Sequence, residues 1–164
     1  MDRQIATLFG IGNLRPAPGT WASAVAILLG LAIHRLGHFP ALLAATLIAI
    51  AAGFWAVRRM TAGLAHKDRK EIVIDEVAGQ WIALSFPSAG FLLMGLPREM
   101  FPYPGWVAAF VFFRLFDIWK PWIIGRADRR GDADAVMWDD LLAGLFAGVA
   151  TMIAAGLSHG LLMR

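Results

Sequence analysis

Residues 72–84 read IVIDEVAGQWIAL, an apolar stretch with two carboxylates, Asp75 and Glu76, at its head. A run this apolar reads as a helix in an apolar setting, where ionised side chains are costly and point to function. The same pattern recurs twice. Residues 105–119 end on Asp117 and lead to Lys120, and residues 137–158 open on Asp139 and Asp140.

Composition supports that setting. Apolar residues make up 59% of the 164 and charged residues 16%, against roughly 25% charged in soluble domains, and the mean hydropathy is +0.62. The expected fold is all-α: a single-domain, multi-helical integral membrane protein covering 1–164. Apolar segments fall near 21–36, 41–57, 72–86, 105–119 and 137–158, about five spans. A clean crossing takes about 20 residues, so the first four, a little short, call for tilt or local thinning of the bilayer. The 72–86 segment is the least regular, because Pro87 is expected to break it. With no cysteine, disulfides, thiolate metal sites and cysteine nucleophiles are excluded. The opening MDRQIATLFGIG is too soon broken for a secretory signal, so retention of the N-terminus is expected.

Positive charge alternates along the chain. Arg3 and Arg15, then Arg58, Arg59, Lys67, Arg69 and Lys70, then Lys120, Arg126, Arg129 and Arg130 occupy alternate connections, while the intervening ones hold Arg35 and Arg98. This pattern predicts a cytoplasmic N-terminus. It also brings Asp75, Glu76, Asp117, Lys120, Asp139 and Asp140 to the cytoplasmic side, with GIGNLRPAPGTWAS leading into the first span from there. Four sequence-distant elements are thus expected to meet at one cytoplasm-facing site.

Several carboxylates without cysteine, and with histidine only at 34, 38, 66 and 159, favour an oxygen-binding ion such as Mg²⁺ over zinc. Neighbours on a helix point about 100° apart, so neither Asp75–Glu76 nor Asp139–Asp140 is expected to close on one ion as a pair. Arg114, Asp117 and Lys120 recur every third residue along a helix face that Pro121 then ends. Arg114 offers a planar fork to phosphate and Lys120 a point charge, the alternative being ion pairing to Asp117. Pro18-Gly19-Thr20, with Ser23 behind, reads as a turn opening the first helix, where free amides suit phosphate. Residues 129–134 read as a turn. Trp55, Trp81, Trp106, Trp119, Trp122 and Trp138 are read as interfacial anchors. Gly144 and Gly148 form a GxxxG suited to close helix approach. His66 and Asp68 share the second basic loop.

IVIDEVAGQWIAL at 72–84, FRLFDIWKPW at 113–122, VMWDDLLAG at 136–144 and GxGxxxxxPGTWAS at 10–23 together resemble phosphatidylglycerophosphatase A. The resemblance implies a Mg²⁺-dependent inner-membrane enzyme that removes the terminal phosphate of phosphatidylglycerophosphate, with its active site facing the cytoplasm. By position the family's acids fall on Asp75, Glu76, Asp117, Asp139 and Asp140, its bases on Arg114 and Lys120, and its N-terminal loop on Gly10, Gly12, Pro18, Gly19 and Thr20. Ala135, and the stretch around Lys70, depart from glycines common in the family. The expected roles are metal ligation by Asp75, Asp139 and Asp140, and phosphate binding by Lys120 and Arg114. Glu76 or Asp117 would orient or deprotonate water. The lipid is the expected partner, no nucleic acid is expected, and the oligomeric state is left open. Two other classes fit less well: an ion-coupled carrier, which would place acids at the midplane of broken helices, and a Mg²⁺-dependent lipid head-group transferase.

Overall fold

The computed structural model describes residues 1–64 and 69–162, with the backbone alone for 159–162. His66, Lys67 and Asp68, Arg164 and the side chain of His159 lie outside the described residues. Helices account for the fold, and no strand occurs among the described residues. The chain opens with α1 (Asp2–Ala6) and a 3₁₀ turn (Leu8–Asn13), followed by α2 (Pro18–Met60), α3 (Ile74–Leu93), α4 (Tyr103–Trp119), α5 (Trp122–Asp128) and α6 (Ala135–Leu162).

α2 is two arms rather than one rod. Gly37 and His38 leave helical geometry, His38 with φ 58°, and the chain doubles back. Gly30 on the first arm faces Trp81 and Leu84, whereas Gly53 on the second faces Ile74 and Met137. The first arm, 18–36, therefore runs parallel to α3 and the second, 39–60, antiparallel. Two prolines open these arms: Pro18 starts α2, and Pro40 falls in the first turn of the second arm. There the missing N–H costs no intrahelical bond.

α3 does not stop at Pro87, contrary to the expected break, but continues to Leu93. Its packing against both α2 and α6 holds the turn in place of the lost hydrogen bond. Trp81 is likewise no interfacial anchor. It is buried, and its indole Nε1 donates to the Ala26 carbonyl at 2.7 Å.

α4 runs back against α3, from Gly105 beside Phe91 to Phe113 beside Gly79. Its final turn and the starts of α2, α3 and α6 then share one end of the molecule. α5 is a short helix inside the last basic loop, and the turn at 129–134 follows it, with Gly131 at φ 68°. α6 runs parallel to α3, and Gly144 and Gly148 are the contact positions. A Cβ on Gly144 would collide with the Gly79 carbonyl, and one on Gly148 with the Phe86 ring.

Candidate active site

At the shared helix end lies a cavity of about 670 Å³. Ala17, Pro18, Gly19 and Thr20 from α2, Asp75 and Glu76 from α3, Arg114 and Asp117 from α4, and Asp139 and Asp140 from α6 line it. Lys120, Asp128, Arg69, Lys70 and Asp132 come from the connections. The convergence of sequence-distant elements is thus present in the geometry. Three of these helices begin here, so their free amides and partial positive charge face the cavity.

Asp75, Glu76 and Asp140 each bring a carboxylate oxygen to within 4.8 Å of the others. The adjacent pair Asp75–Glu76 does close on one point. Both stand in the first turn of α3, where the Asp75 carboxylate folds back to accept from the Glu76 amide at 3.0 Å, and the longer Glu76 side chain has room to swing. Gly19 supplies that room. A Cβ there would run into the Glu76 carboxylate and lie 3.4 Å from Arg114 Nη1.

Asp139 faces elsewhere. It accepts from Lys120 Nζ at 2.7 Å, while the same ammonium donates to Asp128 at 2.5 Å. The helix-face reading of Arg114, Asp117 and Lys120 holds for two of the three. Arg114 pairs with Asp117 at 2.5 Å and reaches Ser23 Oγ at 3.4 Å, but Lys120 has left the helix. It caps α4 with φ 49° and ψ 53°, which aims it across the cavity to α6. Burial opposes its charge, and the hydrogen bonds to Asp128 and Asp139 outweigh burial and raise its pKa.

Gly10 and Gly12 do not line the cavity. They shape the 3₁₀ turn beside it, Gly10 at φ 100° and Gly12 pressed against the Glu71 carbonyl. Asp128 was not singled out from the sequence, because nothing in its local spacing ties it to Lys120. His34 and His38, their ring centroids 4.3 Å apart and their planes tilted by 53°, lie beside Ser88, at the far end of α3 from Asp75.

The donor set can take a hard cation. Every side-chain group in the three-carboxylate cluster is an oxygen, the preference of Mg²⁺. Asp139 Oδ1, at the edge of this cluster, is buried with no hydrogen-bond partner among the described residues. Among the described residues, seven carboxylates and four basic side chains line the cavity, an excess of acid that a bound cation would offset for a phosphate dianion.

Carboxylates beside an arginine and a lysine, at one end of a helical bundle with apolar side chains on its outer faces, form a site chemically suited to a phosphate ester. The Phosphatidylglycerophosphatase A family profile matches residues 4–155, and the chain belongs to this family. It is a lipid phosphatase.

The chain is 33% identical to phosphatidylglycerophosphatase A of Haemophilus influenzae, covering 87% of this chain and 82% of that one. It is 32% identical to phosphatidylglycerophosphatase A of Escherichia coli, over 91% and 81%. A Bacteroides thetaiotaomicron protein, named as a candidate phosphatidylinositol-3-phosphatase, is 32% identical over 92% and 91%. No solved structure matches significantly. Family membership removes the carrier and transferase readings.

Proposed function

We propose that this protein hydrolyses the terminal phosphate of phosphatidylglycerophosphate to phosphatidylglycerol in a Mg²⁺-dependent reaction at the cytoplasmic face of a membrane. The observation that carries the reading is the cluster of Asp75, Glu76 and Asp140, facing Arg114 across Gly19. These three carboxylates would hold the ion, with Asp139 beside them rather than among them. When bound, it supplies charge neutralisation and Lewis-acid polarisation of the phosphoryl group.

The chain's own residues account for the rest. Arg114, braced by Asp117, presents its fork to the phosphate oxygens, and Lys120 adds a second positive charge from the opposite wall. Asp139 Oδ1, without a partner among the described residues, accepts a proton from the attacking water. The water oxygen bonds to phosphorus, the phosphorus–oxygen bond to the glycerol breaks, and the leaving oxygen takes up a proton from solvent.

Membrane placement rests on the outer surface. Leu28, Ile48, Val111, Ile118, Ile153 and Leu157 stand more than half exposed, an apolar exterior suited to lipid. Among the described residues two helices, Pro18–Met60 and Ala135–Ser158, are long and apolar enough to cross, and the reversal at Gly37–His38 divides the first into two arms. With α3 and α4 these support the five-span reading.

Phosphate release from phosphatidylglycerophosphate by detergent-purified protein tests the proposal, with phosphatidylinositol 3-phosphate run alongside because of the Bacteroides relative's name. Release that needs Mg²⁺, stops with chelator and favours the glycerol lipid is expected. Release equal to a no-enzyme blank, or preference for the inositol lipid, would overturn it.

A further inference from the structure

Gln80 is fully buried, and neither its amide oxygen nor its amide nitrogen has a hydrogen-bond partner among the described residues. Such an amide is strongly disfavoured unless something pairs with it. It stands one helical turn beyond Glu76 on α3, and helical side chains lean toward the N-terminus of their helix. The Gln80 side chain is therefore directed back toward the turn that carries Glu76, the end of α3 where the cavity lies.

Two buried atoms of cavity-lining residues likewise have no partner among the described residues: Glu76 Oε2, an acceptor, and Arg114 Nε, a donor. Glu76 Oε1 and Arg114 Nη1 both lie beside Gly19. An amide carries one group of each kind, so the three residues are complementary.

We propose that Gln80 is a positioning residue, its amide nitrogen serving Glu76 Oε2 and its amide oxygen serving Arg114 Nε–H through buried water. A buried water characteristically makes about three hydrogen bonds to such otherwise unpaired groups. The bridge sets the guanidinium fork and the carboxylate at a fixed separation, so the part that binds phosphate and the part that meets the cation stay in register. The proposal rests on the reading of the cavity as a phosphate site and adds a residue to it.

Gln80→Leu tests it, with binding of inorganic phosphate in the presence of Mg²⁺ measured by calorimetry beside turnover. The variant should melt no more than about 5 °C below wild type, because the amide's bonds to the bridge are lost while water still serves Glu76 Oε2 and Arg114 Nε. Phosphate affinity and kcat/KM should each fall at least about tenfold. In an Arg114→Lys background, which has no Nε–H to hold, the same substitution should cost less than about twofold.

Unchanged phosphate affinity, or an equal loss in both backgrounds, would overturn the proposal. Gln80→Met, unbranched and of equal length, gives the same comparison should leucine disturb the packing. A wild type that binds phosphate but hydrolyses no lipid would count against the function alone, since the binding comparison still reads Gln80.

Discussion

Lys120 sits where α4 gives way to α5, and its left-handed backbone turns a helix-face residue into a strut between α5 and α6. Its partners raise its pKa against the opposing effect of burial. A raised value in the folded state gives stability that is complete below the unfolded pKa and lost only as pH climbs through the folded one. The ammonium therefore stays charged across the working range. Lys120→Met should raise KM for the lipid at least about tenfold, the scale of a charge-assisted contact of about 1.5–3 kcal/mol. The ratio to wild type should stay flat from about pH 6 to 9. Kinetics at successive pH values check this, and a ratio that converges on one toward high pH would contradict it. The residue type of Lys120 was readable from FRLFDIWKPW, but its direction was not. The spacing argument assumed a continuous helix, and the positive φ before Pro121 breaks it.

At the scale of the element, the site depends on how closely α3 and α6 approach. A Cβ on Gly79 would lie 2.5 Å from the Asp140 carbonyl oxygen and 2.6 Å from the Phe113 ring, and Gly144 presses on the Gly79 carbonyl in return. Gly144→Ala should push α6 outward, drawing Asp140 away from Asp75 and Glu76. Overpacking of this kind costs about 1–3 kcal/mol, so melting in detergent should drop by several degrees and turnover should fall with it. Gly156→Ala meets nothing within 4 Å and should leave both unchanged. Equal behaviour of the two variants would contradict the account.

The GxxxG spacing made this contact readable in outline, whereas its partner glycine lay hidden inside an apolar run. The continuation of α3 through Pro87 was not readable either, because proline's local rule yields here to packing on two sides. The reversal between the arms of α2 left a trace in the gap between the apolar segments 21–36 and 41–57, in Gly37 and in Pro40.

Across the whole molecule, charge and apolar surface are arranged about one axis. Arg58, Arg59, Arg69, Lys70, Arg126, Arg129 and Arg130 gather toward the carboxylate end, while Arg35 and Arg98 stand at the other. Arg58 also ties the second arm of α2 to the start of α6 through Asp134 at 2.6 Å, a hydrogen bond that lowers the Asp134 pKa. On the proposed membrane placement, the positive-inside tendency predicts a cavity that faces the cytoplasm. Single cysteines at positions 59 and 130 should be labelled from that side only and one at 98 from the other; labelling of 59 and 130 from opposite faces would break the orientation.

The end-to-end placement of the carboxylates was legible because charge in apolar helices is rare and its position is counted along the sequence. Which carboxylates cluster was not, since Glu76 rather than Asp139 joins Asp75 and Asp140 through side-chain reach and the space left by Gly19. The most direct test of the central claim is Mg²⁺-dependent phosphate release by Asp140→Asn, which keeps shape and loses the charge a hard cation requires. With melting near that of wild type, turnover should fall at least about a hundredfold, the scale of a lost electrostatic catalytic contact, and near-wild-type turnover at the same Mg²⁺ concentration would contradict the account.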